Sequence, residues 1–241
     1  MKLSTLFIVV AIVVALGTIT AYNFSLRASY AKGEYKNRFS DMEFTELKSL
    51  NEFYVEGANL ITVHVEPGIK EGLWIKNKLK EKLKVTAKGQ TLILEPSDYA
   101  KANGLWSGID EIILVTNDLK KLKASPYFNE EQVRSHRFPN YGEILLKGFK
   151  GNAFELQLGD YTSVSMEKCD VGAFSAWIGG EENGNASLTI NADNQIKTAD
   201  LNIPGESRVS LINPKITKTS YNLSDKATVL LNGSTLQQIK R

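Results

Sequence analysis

Cysteine is almost absent from this sequence of 241 residues, which contains one, Cys169. A single cysteine forms no intramolecular disulfide and excludes a metal cluster held by several cysteines, so Cys169 is interpreted as a small buried residue of a strand. It also lies far from the N-terminus, which excludes lipid attachment through an N-terminal cysteine. Neither of the two histidines, His64 and His136, has a cysteine or acidic residue at metal-ligand spacing, so no metal centre is predicted.

Charge of one sign is also lacking, since the formal net charge is +2 and charged residues make up 23% of the chain. A balance this even predicts no nucleic-acid partner. The sequence contains no G-x-S-x-G motif and no glycine spacing typical of phosphate or dinucleotide binding. We therefore predict no catalytic residues and no cofactor. The 42% of hydrophobic residues is ordinary for a chain with a packed core.

A long hydrophobic run does occur, at residues 3–22, where twenty consecutive residues carry no charge. A helix of that length crosses a bilayer core of about 30 Å. A cleaved signal peptide is the alternative, but residues 18–21 match a cleavage site of small residues poorly. We predict that residues 1–22 are a retained membrane anchor, with a signal segment as the alternative.

The charges that flank this segment give conflicting predictions of orientation. Lys2 and the amino terminus precede it, and four basic residues follow it closely. The four are Arg27, Lys32, Lys36 and Arg38. The positive-inside rule would place the following domain in the cytoplasm, whereas a short positive start followed at once by a hydrophobic run is typical of export. We predict a protein of the bacterial cell envelope, anchored in the inner membrane with its domain in the periplasm, or exported. A cytoplasm-facing anchored scaffold is the alternative.

Beyond the anchor, the chain divides into a polar linker and a strand-rich domain. Residues 23–43 show no steady hydrophobic period and are interpreted as a juxtamembrane linker. In the domain, residues 44–241, short segments such as 61–65 alternate apolar and polar side chains, which indicates half-buried strands. One helix is predicted at residues 129–137, where Asn129 can cap the N-terminus and two glutamates favour it.

A repeat is visible in the last part of the domain, where four five-residue segments share one apolar pattern. Their fifth residues are Leu158, Ile178, Ile203 and Leu223. The spacings are therefore 20, 25 and 20 residues. Second apolar strands are centred on Met166, Leu188, Leu211 and Leu231, and third apolar positions follow at Val171, Ile216 and Leu236.

Three short strands in each repeat predict an all-β fold. We interpret it as a right-handed parallel β-helix-like solenoid with coils of about 20 residues, preceded by one transmembrane helix or signal segment. One coil cannot bury its apolar face alone, so successive coils must stack into a shared core. An antiparallel sandwich also has short alternating strands, but it does not require a constant step between them.

Several short segments of the domain also follow the order of a known family. They lie at residues 44–47, 53–57, 61–68, 89–94, 113–115, 119–122 and 227–233. In these apolar, glycine and polar patterns the chain resembles the GIN domain family, an autotransporter adhesin head domain of bacterial envelope proteins. The resemblance implies an exported β-helical domain with a role in adhesion and without established catalytic residues. The chain departs from the family in its turns, which lack Ser-Gly repeats, and in the longer segments 98–108 and 125–141.

One row of basic residues is a candidate ligand-binding face. The row consists of Lys76, Lys78, Lys80, Lys82 and Lys84, at alternate positions. In an extended strand all five would lie on one face and attract an anionic polysaccharide or lipid headgroups. The alternative interpretation is an edge strand whose lysines prevent aggregation between strand edges.

The three tryptophans either stack on sugar rings or pack in the core. Trp106, between two glycines in a predicted loop, is the best candidate for an exposed ring. Together with the lysine row, Trp106 completes the predicted ligand-binding set.

We therefore predict a non-enzymatic envelope protein whose solenoid mediates adhesion or scaffolding and binds an anionic polysaccharide or another envelope protein. A carbohydrate-active β-helix enzyme, either a polysaccharide lyase or a hydrolase, is the alternative. Glu181 and Glu182 would serve it, because they lie in a glycine- and asparagine-rich loop that interrupts the repeat. A solvated turn is the plainer interpretation of the same loop.

Overall fold

The protein is mostly β-structure, which follows one apolar N-terminal helix in the chain. The computed structural model describes residues 3–31, 38–103, 111–181, 184–233 and 235–236. The chain forms two compact units, Met1–Met42 and Glu43–Arg241.

The N-terminal unit contains helix α1, which spans Leu3–Ala31. Within it, Ser4–Ala28 is long and apolar enough to cross a membrane, and its side chains are exposed. The hydroxyl groups of Thr18 and Thr20 donate to backbone oxygens four residues earlier, at 2.8 and 2.7 Å, so the helix itself satisfies these two hydroxyl groups. Because α1 extends past residue 22, the first part of the segment that we interpreted as a linker is helical.

The second unit is built from two sheets, whose strands are numbered here in chain order. The nine-stranded sheet has the order β1 (Met42–Glu46), β4 (Gly72–Lys76), β7 (Glu111–Val115), β3 (Thr62–Glu66), β9 (Glu143–Lys147), β11 (Ser163–Glu167), β13 (Ser187–Ile190), β15 (Arg208–Leu211) and β17 (Thr228–Leu231). The eight-stranded sheet has the order β16 (Lys215–Leu223), β14 (Gln195–Ile203), β12 (Asp170–Ile178), β10 (Lys150–Leu158), β8 (Lys121–Ser125), β2 (Glu52–Glu56), β6 (Thr91–Pro96) and β5 (Leu83–Lys88).

Both sheets are mixed and open. β4 pairs antiparallel with β7, and β5 pairs antiparallel with β6. From β9 onward, successive strands alternate between the two sheets, and from β10 onward each pairs in parallel with the strand two positions before it. The parallel pairing contradicts the antiparallel sandwich for this half of the domain.

The residue pairs in the eight-stranded sheet match the repeat in the sequence. Leu158 pairs with Ile178, and Ile203 pairs with Leu223, each at an offset of 20 residues. Between β12 and β14 the offset is 25, as Trp177 and its partner at residue 202 show. The spacings of 20, 25 and 20 are therefore confirmed as the strand register.

The prediction of three short strands in each repeat is wrong, because each repeat contains two strands. The second predicted strands correspond to β11, β13, β15 and β17. The third apolar positions Val171 and Ile216 do not form separate strands but lie in the first halves of β12 and β16. Leu236 follows β17 in a helical turn and is half-exposed.

A bend in each long strand explains why one strand resembled two in the sequence. In β12, Val171 and Phe174 are both buried, and the two residues between them face outward or are half-buried. The pairs between β10 and β12 skip one position, where Asn152 faces Gly172. A Cβ atom on Gly172 would lie 2.5 Å from the backbone oxygen of Asn152, so the bend requires glycine here.

The core lies between the two sheets and continues through the stacked repeats, where each repeat, or coil, is a pair of consecutive strands with one strand in each sheet. Leu156, Ala176 and Leu201 occupy one register position in three successive strands, and all three are buried. The rings of Phe154 and Phe174 stack with centroids 6.0 Å apart and planes 8° apart. Each fully buried large apolar side chain contributes about 1.5–3 kcal/mol relative to exposure, so stacking is the main source of stability.

The lysine row does not form one extended strand, which corrects that prediction. β4 ends at Lys76, a 3-10 turn follows at Asn77–Leu79, and β5 begins at Leu83. The turn carries the chain from β4, in the nine-stranded sheet, to β5, in the eight-stranded sheet. The N–H groups of Lys80 and Lys82 donate to backbone oxygens three residues earlier, at 3.3 and 2.9 Å. These hydrogen bonds stabilise the turn between the two strands.

Two short helices lie in the connections of the domain. α2 spans Asp98–Asn103, and α3 spans Glu130–Arg134. The predicted cap of α3 is confirmed, because the N–H of Gln132 donates to Asn129 Oδ1 at 2.8 Å and the Asn129 N–H donates back to Gln132 Oε1 at 3.0 Å. The helix ends three residues earlier than the predicted range of 129–137.

Candidate functional site

Among the described residues, carboxylates lie close to three of the five lysines in the predicted row. Lys76 lies 3.8 Å from Glu111, Lys80 lies 2.6 Å from Glu43, and Lys84 lies 2.8 Å from Glu95. The hydrogen bond to Glu95 raises the pKa of Lys84, while that bond lowers the pKa of the Glu95 carboxyl. The lysines are divided between two strands and the turn that joins them, and the carboxylates offset part of their charge, so they do not form the single basic face that the sequence predicted. The binding of an anionic ligand by these lysines stays a prediction.

The tryptophans differ in their surroundings. Trp106, the predicted platform, lies outside the described residues. Trp74 packs against Phe44, with centroids 4.6 Å apart, and the Lys70 ammonium lies 3.9 Å from the centre of the Phe44 ring. Trp177, in contrast, is 48% exposed on the eight-stranded sheet.

The residues weighed for catalysis and metal binding do not come together. Glu181 is exposed, and Glu182 lies outside the described residues. His64 Nε2 lies 3.2 Å from a carboxylate oxygen of Glu111. In the part of the chain that the structure describes, no group of three or more His, Cys, Asp or Glu side chains is arranged to hold a metal ion.

Cys169 is buried, as predicted, but it lies in the turn between β11 and β12 rather than within a strand. Its sulfur lies 3.3 Å from the backbone oxygen of Glu167. Burial raises the pKa of the Cys169 thiol, which keeps the group protonated and unreactive at neutral pH.

The outer face of the eight-stranded sheet carries three parallel rows of side chains, aligned by the strand register of β10, β12, β14 and β16. The bend row contains Ala153, Ala173, Thr198 and Lys218. The middle row contains Glu155, Ser175, Asp200 and Ser220. The tryptophan row contains Gln157, Trp177, Asn202 and Asn222. Adjacent members of a row are about 4.8 Å apart, the ordinary spacing between strands.

An open groove of about 720 Å³ follows the bend row and the middle row. It exists because the bend in each long strand makes the outer surface concave along the stack. Its lining is mainly small or apolar, with Ala153, Ala173 and the edges of the two stacked phenylalanines contributing. Since the bend recurs in every coil, the groove runs across the strands rather than along one of them.

The charges at the groove nearly balance. Lys120 pairs with Asp118 at 3.1 Å, and Lys121, beside the groove, pairs with Glu155 at 2.9 Å. The hydrogen bond to Glu155 raises the pKa of Lys121. Three further charged residues at the groove have no ion-pair partner among the described residues. They are Lys150, Asp200 and Lys218.

Trp177 is held in place at the centre of the tryptophan row. Its indole Nε1–H donates to the backbone oxygen of Gly179 at 3.1 Å, which restricts the ring. A second groove of about 420 Å³ adjoins it, lined in part by Lys123, Gln157 and Asp160. An exposed, oriented ring beside amide groups combines an apolar surface with hydrogen-bond donors and acceptors, the combination that suits sugar rings.

Sequence reasoning missed the rows, although the repeat contained the signal. The tryptophan row is the fourth residue of each of the four five-residue segments, and the middle row is the second residue. Outward positions of a parallel stack align automatically once the inward positions are known. Trp177 taken alone, without its neighbours on adjacent strands, gives no such signal.

No family model matches this chain, and no curated protein matches it. Among solved structures, a "putative adhesin" from Bacteroides fragilis is similar with a TM-score of 0.37 and 13% identity, covering 79% of this chain and 96% of that chain. A "putative lipid binding protein" from Parabacteroides distasonis has a TM-score of 0.32 and 14% identity, covering 79% and 97%. A "putative adhesin" from Parabacteroides merdae has a TM-score of 0.30 and 12% identity, covering 79% and 95%. At these values the likeness supports no argument, and the resemblance to the GIN domain family stays a prediction.

Proposed function

We propose that this protein is a membrane-anchored, non-enzymatic component of the bacterial cell envelope whose β-domain mediates adhesion or scaffolding by binding polysaccharide. The observation that carries the proposal is the in-register outer face of the eight-stranded sheet, where an exposed tryptophan stands in a row of amides beside an open groove. A regular, rigid face of this kind suits a repetitive polymer, because equivalent side chains recur at each strand.

The proposal includes a right-handed parallel β-helix for the stacked coils. Parallel pairing from β9 to β17, with successive strands alternating between two sheets, supports the stacking of coils. The handedness is an expectation, because a parallel crossover between strands of one sheet is right-handed in nearly all proteins.

The membrane part of the proposal is supported by α1. Ser4–Ala28 has the length and composition of a single transmembrane span. Its orientation, with the β-domain in the periplasm or exported, rests on the short positive start that a hydrophobic run follows at once, although the positive-inside rule applied to Arg27 and Arg38 favours the opposite orientation. Retention of α1 rather than cleavage is likewise part of the proposal.

Protease treatment of intact spheroplasts tests location directly. The full chain would carry a C-terminal tag, and the tag would be followed after permeabilising the outer membrane only. We expect degradation without lysis of the inner membrane. Protection of the tag until lysis would place the β-domain in the cytoplasm and contradict the envelope function. A cytoplasmic protein of known location serves as the control for lysis.

Polysaccharide binding is tested separately, with the full chain in detergent micelles. The probes are chitin, amorphous cellulose and polygalacturonate, which cover neutral and anionic chains. Retention by at least one of them, without release of reducing sugar, supports a non-enzymatic binding protein. Release of sugar would support the carbohydrate-active enzyme instead. Absence of retention by all three would contradict the polysaccharide part of the proposed function.

A further inference from the structure

We propose that the tryptophan row and the groove of about 720 Å³ along the bend and middle rows form one site for an uncharged glycan chain, which lies extended across β10, β12, β14 and β16. The inference rests on the proposed function, which it deepens by naming the site and the class of polymer. It differs from the sequence-based hypothesis in both respects, because the ligand is neutral and the lysine row takes no part.

The tryptophan row suits an uncharged ligand, because its four side chains are themselves uncharged. Asn222 Nδ2–H donates to Asn202 Oδ1 at 3.1 Å, so the amides on adjacent strands are already linked in a row. On the other side of Trp177, Gln157 Nε2–H donates to Glu155 Oε1 at 2.6 Å. Amides that are ordered in this way present donors and acceptors to hydroxyl groups without introducing charge.

The exposed indole of Trp177 offers a flat apolar surface in this row. A single exposed apolar side chain is common on protein surfaces and has no meaning by itself. Trp177 differs because its N–H is satisfied within the protein by Gly179, so the ring is oriented before any ligand arrives. Ordering a ring in advance reduces the entropy lost on binding, which favours Trp177 as the platform for one sugar ring.

The balance of charge selects a neutral polymer. Asp200 in the middle row would repel a polyanion, whereas Lys150 and Lys218 would repel a polycation. Glu155 pairs with Lys121 at 2.9 Å, so the unpaired charges at the groove are one aspartate and two lysines, too few and too mixed in sign to form a site for a polyion. A polymer without charges meets neither repulsion, and its retention would depend little on ionic strength.

The extent of the face selects an extended chain rather than a small ligand. Across four strands the rows extend about 14 Å, three times the spacing between strands. The same face changes character beyond β10, where Lys121–Glu155 and Tyr54–Glu52 contacts of 2.9 and 3.3 Å occupy the polar groups. Lys123 lies 6.0 Å from the centre of the Tyr54 ring, so this tyrosine already has a cation as a neighbour. We therefore place the site on β10 to β16.

The test compares three variants of the full chain in detergent micelles, with chitin and amorphous cellulose as neutral probes and polygalacturonate as the anionic probe. Trp177→Ala removes the platform, and Asn202→Asp adds a negative charge with almost no change of shape. Tyr141→Ala is the matched control, because Tyr141 is an aromatic residue, 68% exposed, outside the three rows. The thermal unfolding midpoint of each variant shows whether it is folded.

We expect retention on a neutral probe that survives high salt. Trp177→Ala should weaken it at least about tenfold, as the loss of a central aromatic anchor does. Asn202→Asp should weaken it measurably, and Tyr141→Ala should leave it unchanged.

Three outcomes would overturn the inference. Retention only on polygalacturonate, abolished by salt, would exclude a neutral ligand while leaving polysaccharide binding intact. Retention on a neutral probe that both folded variants leave unchanged would exclude this site and preserve the proposed function. Absence of retention on every probe would contradict the inference and the proposed function together. Because Asn202→Asp is nearly isosteric, it provides a result even if Trp177→Ala does not fold.

Discussion

Removing one buried amide should measure how strongly consecutive coils are tied together. Asn194 lies in the turn between β13 and β14 and is fully buried. Its Oδ1 accepts from the N–H of Cys169, in the corresponding turn of the preceding coil, at 2.9 Å. Its Nδ2 donates to the backbone oxygens of Met166 and Asn191, at 2.7 and 2.8 Å. Asn194→Ala removes all three hydrogen bonds.

The cost can be estimated from the groups that are left behind. The Cys169 N–H would lose its acceptor inside the protein, and a buried unsatisfied donor costs about 1–3 kcal/mol. Met166 O and Asn191 O would each keep a backbone donor, from Asn191 N–H and Asn194 N–H at 3.2 Å. Losing those two bonds therefore costs only the net value of about 0.5–1.5 kcal/mol each. The total is a loss of about 2–6 kcal/mol in the free energy of unfolding.

The assay is urea unfolding of the full chain in detergent micelles, followed by tryptophan fluorescence. Asn222→Ala is the control, because Asn222 is exposed and its side chain makes one hydrogen bond at the surface, to Asn202. We expect the control to change stability by no more than about 0.5 kcal/mol. If Asn194→Ala proved no more destabilising than this control, the turn amides would not hold the coils together and the reasoning would be wrong.

The remaining predictions concern the core and the bend. Phe174→Ala should destabilise the domain by about 3–5 kcal/mol, because it opens a cavity under the stacked rings, and urea unfolding would show it. Gly172→Ala should cost about 1–3 kcal/mol, because its Cβ would clash with Asn152 O, whereas Gly151→Ala, with space for a methyl group, should stay within about 0.5 kcal/mol. Burial raises the pKa of Cys169, so the unfolded chain ionises first as pH rises. Stability should therefore fall with pH from about pH 8.5 upward, and by less in Cys169→Ala, as urea midpoints at neutral and alkaline pH would show.

The sequence predicted the register of the stack well, because a parallel arrangement imposes strict geometry. Inward residues of one coil must lie over inward residues of the next, so equal spacing in the chain becomes equal register in the sheet. Leu158, Ile178, Ile203 and Leu223 showed this spacing without any structural information. The apolar helix at residues 3–22 was equally visible, since an uncharged run of that length matches the thickness of a bilayer core.

The sequence could not show where the backbone bends or crosses between sheets. Val171 and Phe174 are three residues apart and both buried, which breaks the period of two and resembles a boundary between strands. The lysine row had the reverse problem, because its regular alternation through Lys76 and Lys84 continues across a 3-10 turn. Alternation describes one strand only when the chain stays in one sheet, and sheet membership depends on partners that are distant in sequence.

The inserted loop after β12 connects the irregularity of the repeat to the candidate site. β11 and β13 are offset by 24 residues where β10 and β12 are offset by 20, so the extra residues fall between Ile178 and Ser187. The loop is tied to the preceding coil, because the Gly180 N–H donates to Asp160 Oδ1 at 2.6 Å.

The same loop orients the exposed indole, because Gly179 at its start supplies the oxygen that accepts from Trp177. Gly179 aligns with Gly159 of the preceding coil, because the N–H of each donates at 2.8 Å to the corresponding backbone oxygen of the strand before it. The oriented ring therefore lies where the regular turn meets the inserted residues, in agreement with the tendency of binding residues to lie at loops on a rigid scaffold.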